Sequence, residues 1–213
     1  MVKDYSVKSL GTVAILGVGL IGGSIGLAVR QRGLSDRVIG IGRKSARLRK
    51  AKQLGAVTET TTNIERGVSE ADFVIVCTPV QYVVEQVREI SQYVRSGTLI
   101  TDVGSTKQTI VEGLTVLENG HFIGSHPMAG GERGGVGNAD ADLFEKRTIV
   151  VTPEKRTNKA AQSRISKFWK SLGARVLELD CKEHDGAVAV ISHLPHTLAS
   201  VLSTQANAKQ LAL

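Results

Sequence analysis

Residues 12–23 read Thr12-Val13-Ala14-Ile15-Leu16-Gly17-Val18-Gly19-Leu20-Ile21-Gly22-Gly23. A short apolar run of this kind fits a buried strand, and the apolar, small-residue stretch after Gly19 fits a helix. Between them Gly17, Gly19 and Gly22 form G-x-G-x-x-G in the one context where that spacing is informative: strand before, helix after. Gly17 permits the tight turn, Gly19 lets the backbone approach a pyrophosphate, and Gly22 lets helix and strand pack closely. The free N–H groups at the start of that helix, its positive end, then hold the phosphates. The first element of the chain thus reads as a dinucleotide-binding turn.

Outward from it, apolar runs alternate with amphipathic stretches. The fold class is α/β: a Rossmann-type, doubly wound, mostly parallel sheet followed by the start of an all-helical C-terminal domain. Strands are expected at Thr12–Leu16, Arg37–Ile41, near Val57, Asp72–Cys77, Thr98–Asp102, His121–Gly124, Thr148–Thr152 and Ala174–Leu179. Helices are expected at Ile21–Arg32, Ser45–Leu54, Gln81–Tyr93, from Ser105 to Leu117 and at Asn158–Ser171, with a short turn from Asn63. Ser45 and Ser105 are read as caps. Gly130–Asn138 holds five glycines and is expected to be a mobile loop over the site. From Lys182 the pattern becomes a long apolar-rich helix broken at Pro195. Residues 1–181 therefore read as the nucleotide-binding domain and 182–213 as the incomplete beginning of a helical substrate or dimerisation domain.

The 27 Lys and Arg against 20 Asp and Glu give a net charge of +7. The basic residues are scattered over helices and aromatic residues are scarce, so anionic cofactor and substrate account for the charge better than nucleic acid does. Ser9–Val29 lacks charge over a length that would span a bilayer. Six glycines interrupt it, each explained by the strand–turn–helix, so no membrane partner is expected. Cys77 and Cys181 are too few and too far apart for a disulfide framework, which suits a reducing cytoplasm.

At the end of the second strand an acidic residue would bind the ribose 2′-hydroxyl of NAD. Here the chain reads Gly42-Arg43-Lys44-Ser45, a guanidinium, an ammonium and a hydroxyl suited to a 2′-phosphate, so NADP is favoured with NAD possible. Thr78-Pro79 follows strand four and Asp102-Val103-Gly104-Ser105 follows strand five, both at the carboxyl edge where such folds bind ligands. His126 follows the next strand, a side chain suited to accept a proton near neutral pH, with the Ser105 hydroxyl placed to orient it. His193 and His196, three apart, share a helix face with Asp185 nearby. The spacing of His184, His193 and His196 does not make a closed metal site, and no metal is expected.

Gly17–Gly23, Asp102–Lys107, Gly124–Gly130 with Glu132, and His184–His196 together resemble the prephenate/arogenate dehydrogenase family of tyrosine biosynthesis, in order and over nearly the whole chain from Thr12. The Ser125-His126-Pro127-Met128-Ala129-Gly130 and Ser192-His193-Leu194-Pro195-His196 segments carry most of that resemblance. It implies an NADP- or NAD-dependent oxidative decarboxylation of prephenate to 4-hydroxyphenylpyruvate, or, as the alternative, of arogenate to tyrosine. It implies that His126 takes the proton of the ring C4 hydroxyl, that Ser105 orients His126, and that hydride and CO2 leave to give an aromatic product. His196 and His193 would hold substrate and Glu132 would gate the entrance. The family continues into a helical dimerisation domain carrying a carboxylate-binding arginine, so the chain reads as a partial or unusually short member that is a homodimer at full length. A non-catalytic NADP-binding module is the competing class, but it has no use for Ser105, His126 and His196 together.

Overall fold

The computed structural model describes residues 9–205. Eight strands form one sheet in the order β3-β2-β1-β4-β5-β6-β7-β8. They are β1 (Thr12–Leu16), β2 (Arg37–Ile41), β3 (Glu59–Thr61), β4 (Phe73–Val76), β5 (Leu99–Asp102), β6 (His121–Pro127), β7 (Thr148–Thr152) and β8 (Arg175–Glu178). All neighbours are parallel except β6 and β7. The chain order reverses between β1 and β4, and in open α/β sheets ligands bind in the crevice at the carboxyl ends of the strands flanking that point.

Period-two alternation supplies both faces of the sheet with apolar side chains. Val13, Ile15, Phe73, Ile75 and Leu99 point into one core. There they meet α1 (Leu20–Gln31), α2 (Ser45–Gln53) and α6 (Lys159–Ser171) through residues such as Ile25, Leu48, Ile165 and Trp169. Ala14, Leu16, Val74, Val76 and Ile100 point into the other core, with Val68 of α3 (Ile64–Val68), Val83, Val87 and Ile90 of α4 (Val83–Tyr93) and Ile110 of α5 (Gln108–Gly113). Helices on both sides explain why these strands are continuously apolar.

Several local expectations are corrected. The N-cap position of α2 is Lys44, with Ser45 as the first helical residue and no side-chain cap bond. Helix α5 starts three residues after Ser105 and ends at Gly113. Its first amides are satisfied from far away in the chain, by Asp185, so a serine cap is not used. The second half of the Gly130–Asn138 loop is fastened to α1: Val136 is buried, a Cβ on Gly23 would press on it, and the Asp140 amide donates to Ser24 Oγ over 2.9 Å.

The C-terminal helix begins at Cys181 with Asp180 capping the Lys182 amide. Its first segment, α7 (Cys181–Val188), packs on α5 and β7 and buries His184 and Val188. Beyond Val188 no described side chain of this helix is buried. A π-turn (Ala189–His193) then leads into α8 (Leu194–Gln205). Pro195 cannot donate to a carbonyl one turn back, and the helix widens into the π-turn just before it. Ile191, Leu194, Leu198, Val201 and Leu202 are half or more exposed along this helix. By length and composition alone, Cys181–Thr204 is also apolar enough to cross a membrane.

Candidate active site

The glycine turn has the geometry its spacing requires. Gly17 sits at φ +94°, a conformation costly for any residue with a Cβ, and an added Cβ would lie 2.7 Å from the Cys77 carbonyl oxygen. A Cβ on Gly22 would press on the Gly17 carbonyl oxygen, whereas one on Gly19 would meet no protein atom within 4 Å. The space above Gly19 is therefore open to a ligand. The first bond of α1 runs from the Gly23 amide to the Gly19 carbonyl, which leaves the amides of Leu20, Ile21 and Gly22 without helical partners. No side chain caps this end and no acidic residue lies in the first turn. A pyrophosphate fits these residues, because it supplies the acceptors and the negative charge that the helix end lacks.

Arg43, Lys44 and Ser45 are exposed between β2 and α2. Among the described residues neither Arg43 nor Lys44 enters an ion pair, and no acidic residue occupies the first turn of α2. Thr78 follows β4, half-buried, with its hydroxyl bonded to Gln86, and Pro79 is exposed beside it. Gly104 is buried after β5, and its amide donates to Asp102 Oδ2 over 2.8 Å.

Strand β6 runs parallel to β5 over Leu99–Thr101 and then continues beyond it, pairing antiparallel with β7 from Gly124 to Pro127. This overhang places Ser125 and His126 at the carboxyl edge of the sheet. Ser125 is clamped: its hydroxyl meets Thr101 Oγ1 at 2.8 Å and accepts from Trp169 Nε1 at 3.0 Å, and its amide donates to Asp102 Oδ1. Beneath it lies a fully buried ion pair, Lys107 Nζ with Asp102 Oδ2, and Lys107 also donates to the Ser125 carbonyl over 3.0 Å. Burial pushes the Lys107 ammonium down from its ordinary range, and Asp102 opposes that push.

His126 is half-buried, and its Nδ1 lies 2.9 Å from Nε2 of His184. His184, fully buried, places its own Nδ1 2.7 Å from Asp185 Oδ1. Asp185 accepts in addition from the Lys107 and Gln108 amides at 2.7 and 3.0 Å. Burial works to raise the Asp185 pKa, but the two amides and His184 outweigh it and hold the carboxyl below its usual range. Burial, followed by the neighbouring His184, Lys107 and His193, pushes His126 down to about 3, with Asp185 pulling the other way.

The sequence placed Ser105 as the partner of His126. The structure puts Ser105 at the same sheet edge but exposed, and the ring partner of His126 is His184. His193 lies half-buried in the π-turn, close enough to act on the charge of His126. His196 is exposed on α8 and Glu132 is exposed in the glycine loop, and among the described residues neither makes a hydrogen bond with His126. Sequence reasoning missed His184 and Asp185 as partners of the base. The available signal was the adjacent His184-Asp185 pair entering an apolar helix. Among the described residues no group of three His, Cys, Asp or Glu side chains is gathered for a metal.

Comparison with known proteins agrees with this fold. The chain is 38% identical over 197 residues to the prephenate dehydrogenase of Bacillus subtilis, covering 91% of this chain and 53% of that protein. It is 32% identical to the cyclohexadienyl dehydrogenase of Zymomonas mobilis, covering 88% of this chain and 64% of the relative. The chain thus spans about half to two thirds of the length of these curated relatives. Prephenate dehydrogenase from Aquifex aeolicus, solved in complex with hydroxyphenyl propionate and NAD+, superposes with a TM-score of 0.88 at 32% identity, over 94% of this chain and 70% of that one. The family described as "Prephenate dehydrogenase, nucleotide-binding domain" matches residues 25–178. With that match over most of its length, the chain belongs to the prephenate dehydrogenase family.

Proposed function

We propose that this chain is the nucleotide-binding and base-carrying part of a dehydrogenase that oxidatively decarboxylates prephenate to 4-hydroxyphenylpyruvate, with NADP preferred and NAD accepted. The observation that supports it most is His126, a neutral histidine anchored on one ring nitrogen at the same sheet edge as the open Gly17–Gly22 turn. Gly17, Gly19, Leu20, Ile21, Gly22, Thr78, Pro79 and Gly104 would line the cofactor crevice. Arg43, Lys44 and Ser45 would receive a 2′-phosphate. The nicotinamide, when bound, supplies the hydride acceptor. His126 takes the proton of the substrate's ring hydroxyl, while Ser105, exposed at the same edge, bonds that hydroxyl. Loss of the ring carboxylate as CO2 leaves an aromatic product, so the protein's task is mostly positioning and polarisation. Glu132, His193 and His196 belong to the substrate side.

Arogenate is the second reading, favoured by the solved arogenate dehydrogenase of Synechocystis, to which the chain is 28% identical at a TM-score of 0.81. A spectrophotometric assay of the whole protein with each substrate against each cofactor tests the proposal. Turnover of neither substrate would sink it. For the cofactor, Arg43→Asp should weaken NADP binding and improve NAD. Loss of one charge-assisted contact, at about 1.5–3 kcal/mol, is roughly ten- to a hundredfold in affinity. Calorimetry in which the unaltered protein bound NAD more tightly than NADP would overturn the assignment.

The helix beyond Val188 we read as the start of the helical domain and as an association surface, with a cytoplasmic, homodimeric whole protein. Its apolar stripe at Ile191, Leu194, Leu198, Val201 and Leu202 is interrupted on other sides by Ser192, His193, His196, Thr197, Ser200 and Ser203. One-sided polarity favours packing against other helices over a lipid environment. The 213-residue chain should self-associate in light scattering, and a strictly monomeric chain in detergent-free buffer would contradict this reading.

A further inference from the structure

We propose that His184 and Asp185 form a positioning relay that fixes which nitrogen of His126 carries its hydrogen, leaving Nε2 as the basic atom. The kinetic part of this inference rests on His126 being the base; the tautomer itself does not. Donors and acceptors alternate along a single file from Asp185 through His184 to His126. A carboxylate only accepts, so the 2.7 Å contact to Asp185 Oδ1 requires the hydrogen on His184 Nδ1. Asp185 stays ionised because two main-chain amides of α5 already donate to it. The relay takes His184 as neutral: with its hydrogen on Nδ1 the ring has only a lone pair at Nε2, whereas a doubly protonated ring would donate to His126 and reverse the file. The 2.9 Å contact between His184 Nε2 and His126 Nδ1 must then be donated by His126. His126 therefore carries its hydrogen on Nδ1 and presents a lone pair at Nε2, the one ring nitrogen that this file leaves free. The imidazole tautomer more common in water is the opposite one, so the relay has work to do.

The same file serves the charged state. Once His126 has taken a proton at Nε2, its Nδ1–H still donates to His184, and no partner has to turn. His184 is fully buried and edge-on to His126, with ring centroids 5.1 Å apart and planes 79° apart, so it also blocks rotation of the base. The third group of a catalytic triad acts in the same way, by orienting and fixing the tautomer of a histidine without taking the proton itself. The file ends on the N-terminus of α5, which ties the base to the loop carrying Gly104 and Ser105.

Long-range proton–nitrogen correlation spectra of the ¹⁵N-histidine-labelled chain near neutral pH test this directly, because each ring nitrogen reports whether it bears hydrogen. The chain has five histidines, assigned by single substitutions. The expected result is His126 with Nδ1 protonated and Nε2 bare. His184→Gln should preserve that pattern, since its amide oxygen accepts from His126 and its amide nitrogen donates to Asp185. His184→Leu should release His126 to the Nε2-protonated form. In the whole enzyme His184→Leu should lower kcat tenfold to a hundredfold, a size typical of removing an orienting partner, with KM little changed and His184→Gln restoring most of the loss. An Nε2-protonated His126 in the unaltered chain overturns the relay, and needs no variant to fold. So does a His126 tautomer indifferent to His184→Leu. The expected tautomer in a protein that turns over neither substrate would instead leave the relay standing and remove the proposed activity.

Discussion

His126→Asn is expected to lower kcat of the whole protein by about 10²–10⁴, the usual worth of a general base, while leaving nucleotide affinity and fold in place. Asparagine keeps a polar group at the position and can bond to His184, but it has no site that takes a proton. The fold should survive because His126 is only half-buried, whereas the neighbour that locks β6, Ser125, is untouched. The pH profile adds a second check. A base must be neutral to act, so activity is lost as pH falls through its pKa. Burial and the nearby His184, Lys107 and His193 push that value down to about 3, so the acid limb should lie well below the 6.5 of an ordinary histidine. Near-normal kcat in His126→Asn would show that another group takes the proton. An acid limb at pH 6–7 that vanishes in His126→Asn would keep the base and refute its depressed pKa.

The parts of this molecule legible in its sequence are those fixed by local rules. Gly17 at φ +94°, the bare space at Gly19 and the close packing at Gly22 follow from three glycines at set spacing. Apolar runs with helices between them gave the parallel sheet and nearly every strand. The short helical turn from Asn63 was legible because what starts it is local: the Asn63 side chain accepts from the Arg66 amide three residues on. Failures came where a distant residue overrode a local one. Ser105 has a cap's composition, yet α5 is capped by Asp185, 78 residues beyond Lys107. The partner of His126 lies 58 residues away, on a helix whose docking no periodicity encodes. The antiparallel β6–β7 step, which lifts His126 past the end of β5, depends on the path of the 128–147 connection and not on any pattern within the strands.

The buried ion pair is a feature of that second kind, and its removal should have the largest effect on stability. Lys107→Met fills similar space and leaves Asp102, with a fully buried side chain, without its cation. Deleting one partner of such a pair costs about 3–5 kcal/mol, since the remaining charge loses compensation that water cannot replace. For a chain of this size that is roughly a 6–20 °C fall in Tm, a large share of the 5–15 kcal/mol that domains typically have. Asp102 still accepts from the Gly104 and Ser125 amides, which keeps the penalty from growing further. The pair itself need not be a net stabiliser, and the double variant Lys107→Met with Asp102→Asn should recover part of the loss. The same substitution loosens two segments of the candidate site, because Lys107 holds the Ser125 carbonyl next to His126 and Asp102 holds the Gly104 amide next to Ser105. Weaker turnover should therefore accompany the fall in Tm even at temperatures where Lys107→Met is fully folded. Calorimetric unfolding of the two variants beside the unaltered protein decides the point: an unchanged Tm in Lys107→Met would mean that Asp102 is neutral or hydrated, and that something other than this pair holds the two loops together.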